Sequence, residues 1–338
     1  MTIAILLDQP RKNHLPGEEG VREDLQKRKI ANEVEEVLSK RYECITIVAD
    51  NNFVLKLQKE NVDMVFNLCN GIHGETRLAQ IPAILEFFNI PYTGSSILGH
   101  TLSINKVISS RIFESAEINT PKFLTIYDER DLEQLKAEDI NFPVIIKPAD
   151  EGSSRGVHQD SLVYDMESLE KKVKEELILY NPPIMINEYV DGREFTVGIL
   201  GYRDDVEVLP ILEISYDNLP DHLPKFSSFE LKCHYDGYKS EDICPAILDY
   251  ELKNAIVDIA RRAYGVLDIR DYGRVDVRLK DGVPYVLEIN SLPGLVRGYS
   301  DITKMAEVAG IGYDGLIYSI VDSAFARYNL FEQEDDVV

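Results

Sequence analysis

Positive charge is scarce in this 338-residue chain, which has 36 lysine and arginine residues against 59 aspartate and glutamate residues. The net charge of -23 at pH 7 argues against a nucleic acid or an anionic membrane as partner, because the summed field repels polyanions. No apolar run approaches the roughly 18–20 residues that a membrane span requires. We therefore predict a protein that works in solution, in which any phosphate site is locally basic.

Cysteine is rare as well. Cys44, Cys69, Cys233 and Cys244 have neither the spacing nor the histidine neighbours of a zinc site, and we recognise no secretory signal. We therefore expect reduced thiols in a cytoplasmic protein. With 44% hydrophobic and 28% charged residues, the composition excludes a disordered, collagen-like or coiled-coil chain. The length predicts two or three domains.

Apolar runs of strand length alternate with helical patterns through the first hundred residues. The pattern predicts strands near residues 3–7, 44–48 and 64–68, with helices near 29–39 and 78–88. Such alternation indicates a parallel sheet with helical crossovers.

The rest of the chain has a different pattern. From about residue 122 to 201 it predicts a smaller α+β module, with a charged helix at 166–176 and an edge-like strand that runs into a turn at 187–194. A helix is also expected at 106–115. The last third predicts a strand, a helix, a hairpin and a final helix, near residues 206–213, 249–264, 273–290 and 313–328.

The strongest chemical signal is the pattern Arg274-x-Asp276 on one predicted strand and Glu288-x-Asn290 on its hairpin partner. Residues two apart on a strand share a face, so the four side chains can converge. Two carboxylates and an amide oxygen suit a hard cation such as Mg²⁺. The arginine can stabilise negative charge that develops on a reacting oxygen. The alternative is a solvated hairpin whose charges only pair with one another.

A second signal is the apolar strand that delivers Lys147 to a loop with Gly152, Ser153, Ser154 and Gly156. Backbone N–H groups and hydroxyls of such a loop can surround phosphate oxygens. A plain surface hairpin is the alternative.

A third signal is the segment from Asn187 to Glu194, whose carbonyl and carboxylate groups can hold an adenine amino group and a ribose hydroxyl. A simple strand and turn is the alternative here.

Six motifs occur in a fixed order along nearly the whole chain. They are Asn105-Lys106-Val107, Ile146-Lys147-Pro148 with Glu151-Gly152-Ser153-Ser154, Glu188-Tyr189-Val190-Asp191-Gly192-Arg193-Glu194, Cys244-Pro245-Ala246, Gly273-Arg274-Val275-Asp276 and Leu287-Glu288-Ile289-Asn290-Ser291-Leu292-Pro293-Gly294. This order resembles the D-alanine–D-alanine ligases, a family of the ATP-grasp superfamily.

The resemblance implies an α/β chain built of α+β modules with the ATP-grasp fold. An N-terminal domain with a doubly wound parallel sheet is expected at 1–104, a central lid domain at 105–201 and a C-terminal mixed-sheet catalytic domain at 202–338. It also implies a homodimer.

The resemblance further implies roles for single residues. Lys106 and Lys147 would bind ATP phosphates under a lid that carries Ser153 and Ser154, and Asn187, Val190 and Glu194 would contact adenine and ribose. Asp276, Glu288 and Asn290 would hold one or two Mg²⁺ ions, with Mn²⁺ as a substitute. Arg274 and the Gly294 amide would steady an oxyanion, with Ser153 and Tyr235 also in the catalytic set.

The family reaction phosphorylates a carboxylate with ATP and then couples the acyl phosphate to an amine, which releases ADP and phosphate. A carboxylate is a poor electrophile until it is phosphorylated, and the lid must exclude water that would hydrolyse the intermediate. The expected partners are therefore a small carboxylic acid and an amine, with amino acids as the leading class.

Two departures from the family pattern concern the first substrate. The family's Gly-Gly-x-Ser-x-Glu, whose glutamate anchors an ammonium group, is replaced by a segment that begins Leu6-Leu7-Asp8-Gln9. Glu18, Glu19 and Glu23 are candidate substitutes. The family's His-Gly-x-x-Gly-Glu begins here with Asn70, and His73 lies three residues later. Asn70 and His73 are therefore candidate substrate contacts.

A third departure concerns the second substrate. Tyr299 stands where the family has a serine that receives a carboxylate, and Ser300 and Arg297 are nearby candidates for that role. We therefore expect an ATP-dependent carboxylate–amine ligase whose substrates differ from two D-alanines. A genuine D-alanine–D-alanine ligase of cell-wall synthesis and a catalytically inactive nucleotide-binding regulator or scaffold are the alternatives.

Overall fold

The computed structural model describes residues 1–9, 19–135, 140–152, 154–180, 182–232 and 237–330, with the backbone alone for residues 19–24 and 134. The strands are β1 Thr2–Leu7, β2 Glu43–Val48, β3 Met64–Asn67, β4 Phe123–Ile126, β5 Val144–Pro148, β6 Leu162–Val163, β7 Ile184–Glu188, β8 Arg193–Tyr202, β9 Asp205–Val208, β10 Leu212–Ser215, β11 Glu241–Ile243, β12 Tyr272–Lys280 and β13 Val283–Asn290. The α-helices are α1 Glu19–Leu38, α2 Phe53–Lys59, α3 Gln80–Phe87, α4 Ile97–Ile104, α5 Lys106–Ser115, α6 Asp131–Leu135, α7 Met166–Leu179, α8 Phe229–Lys232, α9 Tyr250–Val266, α10 Asp301–Val308 and α11 Gly312–Tyr328.

The first sheet has the order β2-β1-β3, and both pairings are parallel. Alternate residues of β1 pack in two different hydrophobic clusters, one on each face of the sheet. Ile3 and Ile5 pack in a cluster that includes residues of α1 and α11, whereas Ala4 and Leu6 pack with residues of α2 and α3. Both faces of the sheet are therefore covered, which is why β1 is apolar from Ile3 to Leu7, whereas β2 at the edge of the sheet has exposed Glu43 and Thr46. The predicted doubly wound parallel sheet is confirmed.

The second sheet has the order β4-β7-β5-β6 and is antiparallel. The prediction of an edge-like strand at 187–194 is wrong, because β7 lies between β4 and β5 and ends at Glu188. The chain then turns at Asp191-Gly192 into the third sheet. A Cβ on Gly192 would lie 1.9 Å from the Leu279 carbonyl oxygen, so this close approach requires glycine.

The third sheet has the order β11-β10-β8-β12-β13, with β9 paired to β8. The strand predicted at 206–213 is divided into β9 and β10 because Pro210 lacks the N–H group that a ladder needs. The expected domain boundary after residue 201 falls inside β8, which pairs with β10 and β12. We propose that the central domain instead ends in the turn at 189–192.

Helix α9 supports the hairpin of β12 and β13. The Asp249 carboxylate caps the helix by accepting from the Leu252 N–H at 2.8 Å. Ile256, Ile259 and Ala263 are buried in one core cluster with Val275 of β12. Burial of each isoleucine contributes roughly 1.5–3 kcal/mol, so the apolar face of the hairpin is held in place and its polar face is left for chemistry.

None of the helices in the described part of the chain has an apolar stretch long enough to cross a membrane.

Candidate active site

The hairpin of β12 and β13 brings the four predicted polar residues together. Arg274 lies opposite Asn290, and Asp276 lies opposite Glu288. The register shifts just after Asp276, and the pairing then continues from Val277 and Val286 to the end of the hairpin. Their side chains are partly buried and alternate with apolar residues that face α9.

Asp276 is fully engaged by neighbouring donors. Its Oδ1 accepts from the Arg274 Nε at 2.9 Å and from the Thr196 hydroxyl at 2.7 Å. Its Oδ2 accepts from Arg274 at 2.8 Å and from the Asn290 amide nitrogen at 3.1 Å. A carboxylate has about four acceptor sites, so Asp276 has none left in this arrangement. Arg274 also donates to Asp301 at 3.0 Å, which gives its guanidinium a second carboxylate partner.

Glu288 is the carboxylate that faces the cationic side of the site. Its Oε2 lies 3.5 Å from the Lys106 Nζ. Burial opposes ionisation of Glu288, but the positive charges of Lys106, Lys147, Lys232 and Arg274 outweigh it and lower the pKa of Glu288 to about 2. Glu288 is therefore an anion at neutral pH, held between four cations.

The two lysines reach this region from separate elements. Lys106 is the first residue of α5, whose N-cap Asn105 accepts from the Ile108 N–H at 3.1 Å. Its Nζ donates to the Glu151 carbonyl oxygen. Lys147 is presented by β5, and burial, reinforced by Lys106, lowers the pKa of Lys147 to about 8 despite the attraction of Glu288. Lys147 therefore carries only part of its charge just above neutral pH.

The glycine-rich loop after β5 is anchored by two arginines that the sequence patterns did not indicate. Arg77 donates to the Asp150 carbonyl oxygen at 2.7 Å and lies 3.3 Å from the Glu151 carboxylate. The Arg155 Nε donates to the same carboxylate at 3.0 Å. Ser154 is left-handed, with a φ of 60°, and its hydroxyl donates to the Ser227 carbonyl oxygen at 2.7 Å. Its hydroxyl therefore joins the loop to the segment between β10 and α8.

The residues expected at the nucleoside lie together at the junction of β7 and β8. The amide oxygen of buried Asn187 has no hydrogen-bond partner among the described residues. The Val190 carbonyl oxygen accepts from Arg278 at 2.9 Å. Glu194 is buried and accepts from Arg278 and from the Ser227 hydroxyl. An unpaired buried acceptor is costly, so Asn187 fits a ligand that supplies an N–H donor.

Two cavities adjoin the polar face of the hairpin. A small one of about 90 Å³ lies among Lys106, Glu151, Arg155, Glu288 and Asn290. A large one has a volume of about 970 Å³, at the upper end of the range for small-molecule sites. The predicted residues that line the large cavity are Arg274, Asn290, Gly294, Asn70, Tyr299 and Ser300.

Other predicted substrate residues lie elsewhere. The Arg297 guanidinium is 3.3 Å from Glu36 and 3.8 Å from Asp314, and stands over the Tyr313 ring. We do not retain Arg297 as a substrate residue, because helices α1 and α11 hold its charge away from the large cavity. His73 is exposed and lines neither cavity.

Several predictions cannot be placed. Ser153, Tyr235 and Glu18 lie outside the described residues, as do the side chains of Glu19 and Glu23.

The end of β1 is the position near which the family pattern has its anchoring glutamate. Asp8 is buried there and binds the ammonium group of Lys27. It also accepts from the backbone N–H groups of Asn70 at 2.6 Å and Gly71 at 3.1 Å. Lys27 lines the large cavity, so the ion pair of Lys27 and Asp8 forms part of this wall.

The donor set supports a divalent cation at the hairpin. Glu288 and the Asn290 amide oxygen are the kind of oxygen ligands that Mg²⁺ prefers. Asp276 lies on the same face, but Arg274, Thr196 and Asn290 occupy its acceptor sites in this structure. Within the described ranges, no three histidine, cysteine, aspartate or glutamate side chains are grouped as a metal site, so a cation at the hairpin would depend on the Asn290 amide oxygen as one of its ligands.

Comparison with known proteins decides the family. A family model described as the C-terminus of D-Ala–D-Ala ligase matches residues 112–322. A D-alanine–D-alanine ligase of Carboxydothermus hydrogenoformans is 31% identical over 292 residues, which cover 84% of this chain and 88% of that protein. The chain belongs to the D-alanine–D-alanine ligase family. It is therefore an ATP-grasp ligase of the class that forms carbon–nitrogen bonds.

Two further relatives extend this comparison. The y4sG protein of Sinorhizobium fredii, described as uncharacterized, is 39% identical over 266 residues, which cover 78% of this chain and 75% of that protein. A crystal structure of the Bacillus anthracis D-alanine–D-alanine ligase complexed with ATP has a TM-score of 0.73 and 24% identity, and covers 98% of this chain and 99% of its own. The predicted ATP-grasp fold of this family member is confirmed by that likeness.

Proposed function

We propose that this member of the D-alanine–D-alanine ligase family couples a carboxylic acid to an amine through an acyl phosphate made from ATP, with substrates other than two D-alanines. One observation carries the proposal. The phosphate and metal side of the site is assembled around Glu288, whereas the anchor position at the end of β1 holds the pair of Asp8 and Lys27.

ATP use is supported by the charge and shape of the site. Lys106 and Lys147 converge beside Glu288 in an otherwise acidic protein, as a triphosphate site requires. The unpaired amide oxygen of Asn187 suits the amino group of adenine. The Bacillus anthracis ligase of the same fold is complexed with ATP.

Glu288 and Asn290 would hold a Mg²⁺ ion, with Asp276 as a further ligand in place of one of its present hydrogen-bond donors. Bound there, the ion would neutralise charge on the transferring phosphate. Arg274 supplies a fixed positive charge at the boundary between the phosphate side and the large cavity. We propose that it and the Gly294 amide stabilise the oxyanion formed when the amine attacks the acyl phosphate.

The walls of the large cavity support different substrates. At the end of β1, where the family pattern has an anchoring glutamate, the Asp8 carboxylate is engaged by Lys27 and by the backbone N–H groups of Asn70 and Gly71. At the other substrate position the serine is replaced by Tyr299, next to Ser300 and Lys304. The Lys304 Nζ lies 2.5 Å from Asp242 and 3.6 Å from Asp301, so this wall carries both signs of charge.

The proposal is tested by phosphate release from ATP across a panel of acids and amines, with mass spectrometry of the product. We expect Mg²⁺-dependent release that rises with particular pairs and yields an amide. Turnover with D-alanine alone to the D,D-dipeptide would support the genuine ligase instead. Release at background for every pair would support the regulator or scaffold.

The low pKa of Lys147 predicts a pH dependence of nucleotide affinity. The Lys147 pKa is about 8, and a bound phosphate favours the charged form, so ATP affinity falls as the pH rises through 8. We expect a decrease of roughly tenfold between pH 7.5 and 9.5, measured by calorimetry. The Lys147→Arg variant keeps its charge over this range and should show a much flatter profile. An equally steep profile in that variant would assign the effect to another group.

We propose that the enzyme acts in the cytoplasm as a homodimer. The free thiols of Cys44, Cys69 and Cys244 support the compartment, and the family resemblance supports the dimer.

A further inference from the structure

Arg278 is a buried arginine that no family motif accounts for. It lies on β12 two residues beyond Asp276, on the same face as Arg274 and Asp276. It stands directly opposite Glu194 in the pairing of β12 with β8. Only 2% of Arg278 is exposed, so its charge depends on the groups around it.

The guanidinium binds two of the groups expected at the nucleoside. Its Nε and one terminal nitrogen donate to the Glu194 Oε2 at 3.0 and 2.9 Å. The other terminal nitrogen donates to the Val190 carbonyl oxygen at 2.9 Å. The Lys225 carbonyl oxygen accepts a further bond, and the Tyr189 ring lies 4.8 Å away. The planar Arg278 guanidinium, whose donors have a fixed geometry, thus links β12 to β8 and to the turn between β7 and β8.

These contacts occupy most of the hydrogen-bond acceptor sites of the Glu194 carboxylate. A carboxylate offers about four acceptor sites, of which Arg278 takes two on Oε2. The Ser227 hydroxyl takes one on Oε1 at 2.9 Å. By these hydrogen bonds one acceptor site on Oε1 remains, enough for a single ribose hydroxyl, and the Tyr216 hydroxyl, which bonds Ser227 at 2.9 Å, lies beside it. Because Arg278 holds the other oxygen, Glu194 does not have to be ordered when a nucleoside binds.

We propose that Arg278 is the positioning residue for ribose recognition, fixing Glu194 so that its last acceptor site distinguishes a nucleotide with ribose hydroxyls from one without them. The inference rests on the proposed ATP site. A lysine in place of Arg278 would supply a point charge but not the fork that holds both Glu194 and Val190.

The test compares three ligands by calorimetry in the presence of Mg²⁺: ATP, 2′,3′-dideoxy-ATP and inorganic tripolyphosphate. We expect the wild-type protein to prefer ATP over the dideoxy nucleotide by about tenfold, the effect of one hydrogen bond to a charged group. The Arg278→Lys variant should reduce this preference to about twofold or less while its affinity for tripolyphosphate stays unchanged.

A matched control is Arg193→Lys. Arg193 forms a comparable fork with Glu213 at 2.7 Å for both contacts, in the same sheet. This control should keep the wild-type preference. Circular dichroism and thermal unfolding check each variant, and Arg278→Gln, with the same expectations, replaces Arg278→Lys if the latter does not fold.

If the Arg278 variant keeps the wild-type preference for ATP over the dideoxy nucleotide, this inference is wrong, and the proposed ATP site is not affected. Equal losses for tripolyphosphate and ATP also overturn the inference, because they show a general structural role. A wild-type protein that binds neither nucleotide overturns the proposed ATP site and this inference together.

Discussion

The Glu288→Gln variant is expected to lose turnover by at least about 100-fold, the effect of removing one charge-stabilising group from a reacting centre. Glutamine keeps the size of the side chain but removes the anion that Lys106, Lys147, Lys232 and Arg274 surround. The site then has an excess of positive charge and a weaker divalent cation ligand. The measurement is phosphate release with saturating ATP and the best substrate pair.

The same variant should remain folded, because Glu288 is partly exposed and lies opposite another carboxylate. Loss of the charge relieves repulsion from Asp276 but also removes the attraction of the surrounding cations, so the variant is expected to be less stable yet still folded, which thermal unfolding checks. Glu207→Gln is the matched control, since Glu207 is exposed on β9 of the same sheet, and it should keep wild-type activity. Full activity in Glu288→Gln would contradict the proposed role.

The Asp271→Asn variant is expected to lower the free energy of unfolding by about 3–5 kcal/mol, the usual cost of breaking a buried ion pair. Asp271 is fully buried and binds Arg327 at 2.7 Å. It also accepts from the Ser323 hydroxyl at 2.9 Å and from the Gly94 N–H at 2.7 Å. One carboxylate just before β12 thus connects α11 to the segment between α3 and α4, and its loss leaves the Arg327 charge buried. Urea denaturation measures the change.

Asp268→Asn is the control for that experiment. Asp268 and Asp271 both have a left-handed backbone, with φ of 52° and 63°, and asparagine tolerates that conformation as well as aspartate does. Asp268 pairs with Arg270 at 2.7 Å, but both side chains are partly exposed. The control should therefore cost no more than about 1 kcal/mol. Equal losses in the two variants would show that burial of the Asp271 pair is not the cause.

Local sequence patterns correctly predicted those strands and helices whose buried positions follow the regular spacing of the element itself. Continuous apolar runs marked the strands of the first sheet because both faces of that sheet are buried. The spacing of Ile256 and Ile259 marked α9. The edge-strand prediction failed because β7 and β8 are neighbours in sequence but pair in different sheets. Partner choice between distant strands leaves no signal in a local pattern.

The candidate site shows the same limit. A two-residue period joined Arg274 to Asp276, and its extension by one step would have indicated Arg278. Arg77 and Lys27 come from distant segments and had no comparable signal. Arg297 was selected for its position after Pro293-Gly294, but sequence distance does not show that Glu33 and Glu36 of α1 bind it.

A divalent cation held by the hairpin of β12 and β13 against a nucleotide is the central element of the proposed mechanism. The most direct test is a crystal grown with Mn²⁺ and a non-hydrolysable ATP analogue, with anomalous data collected at the manganese edge. We predict a peak bound by Glu288 and the Asn290 amide oxygen and shared with the triphosphate. A triphosphate bound with its metal elsewhere, and with Glu288 turned away, would contradict the account.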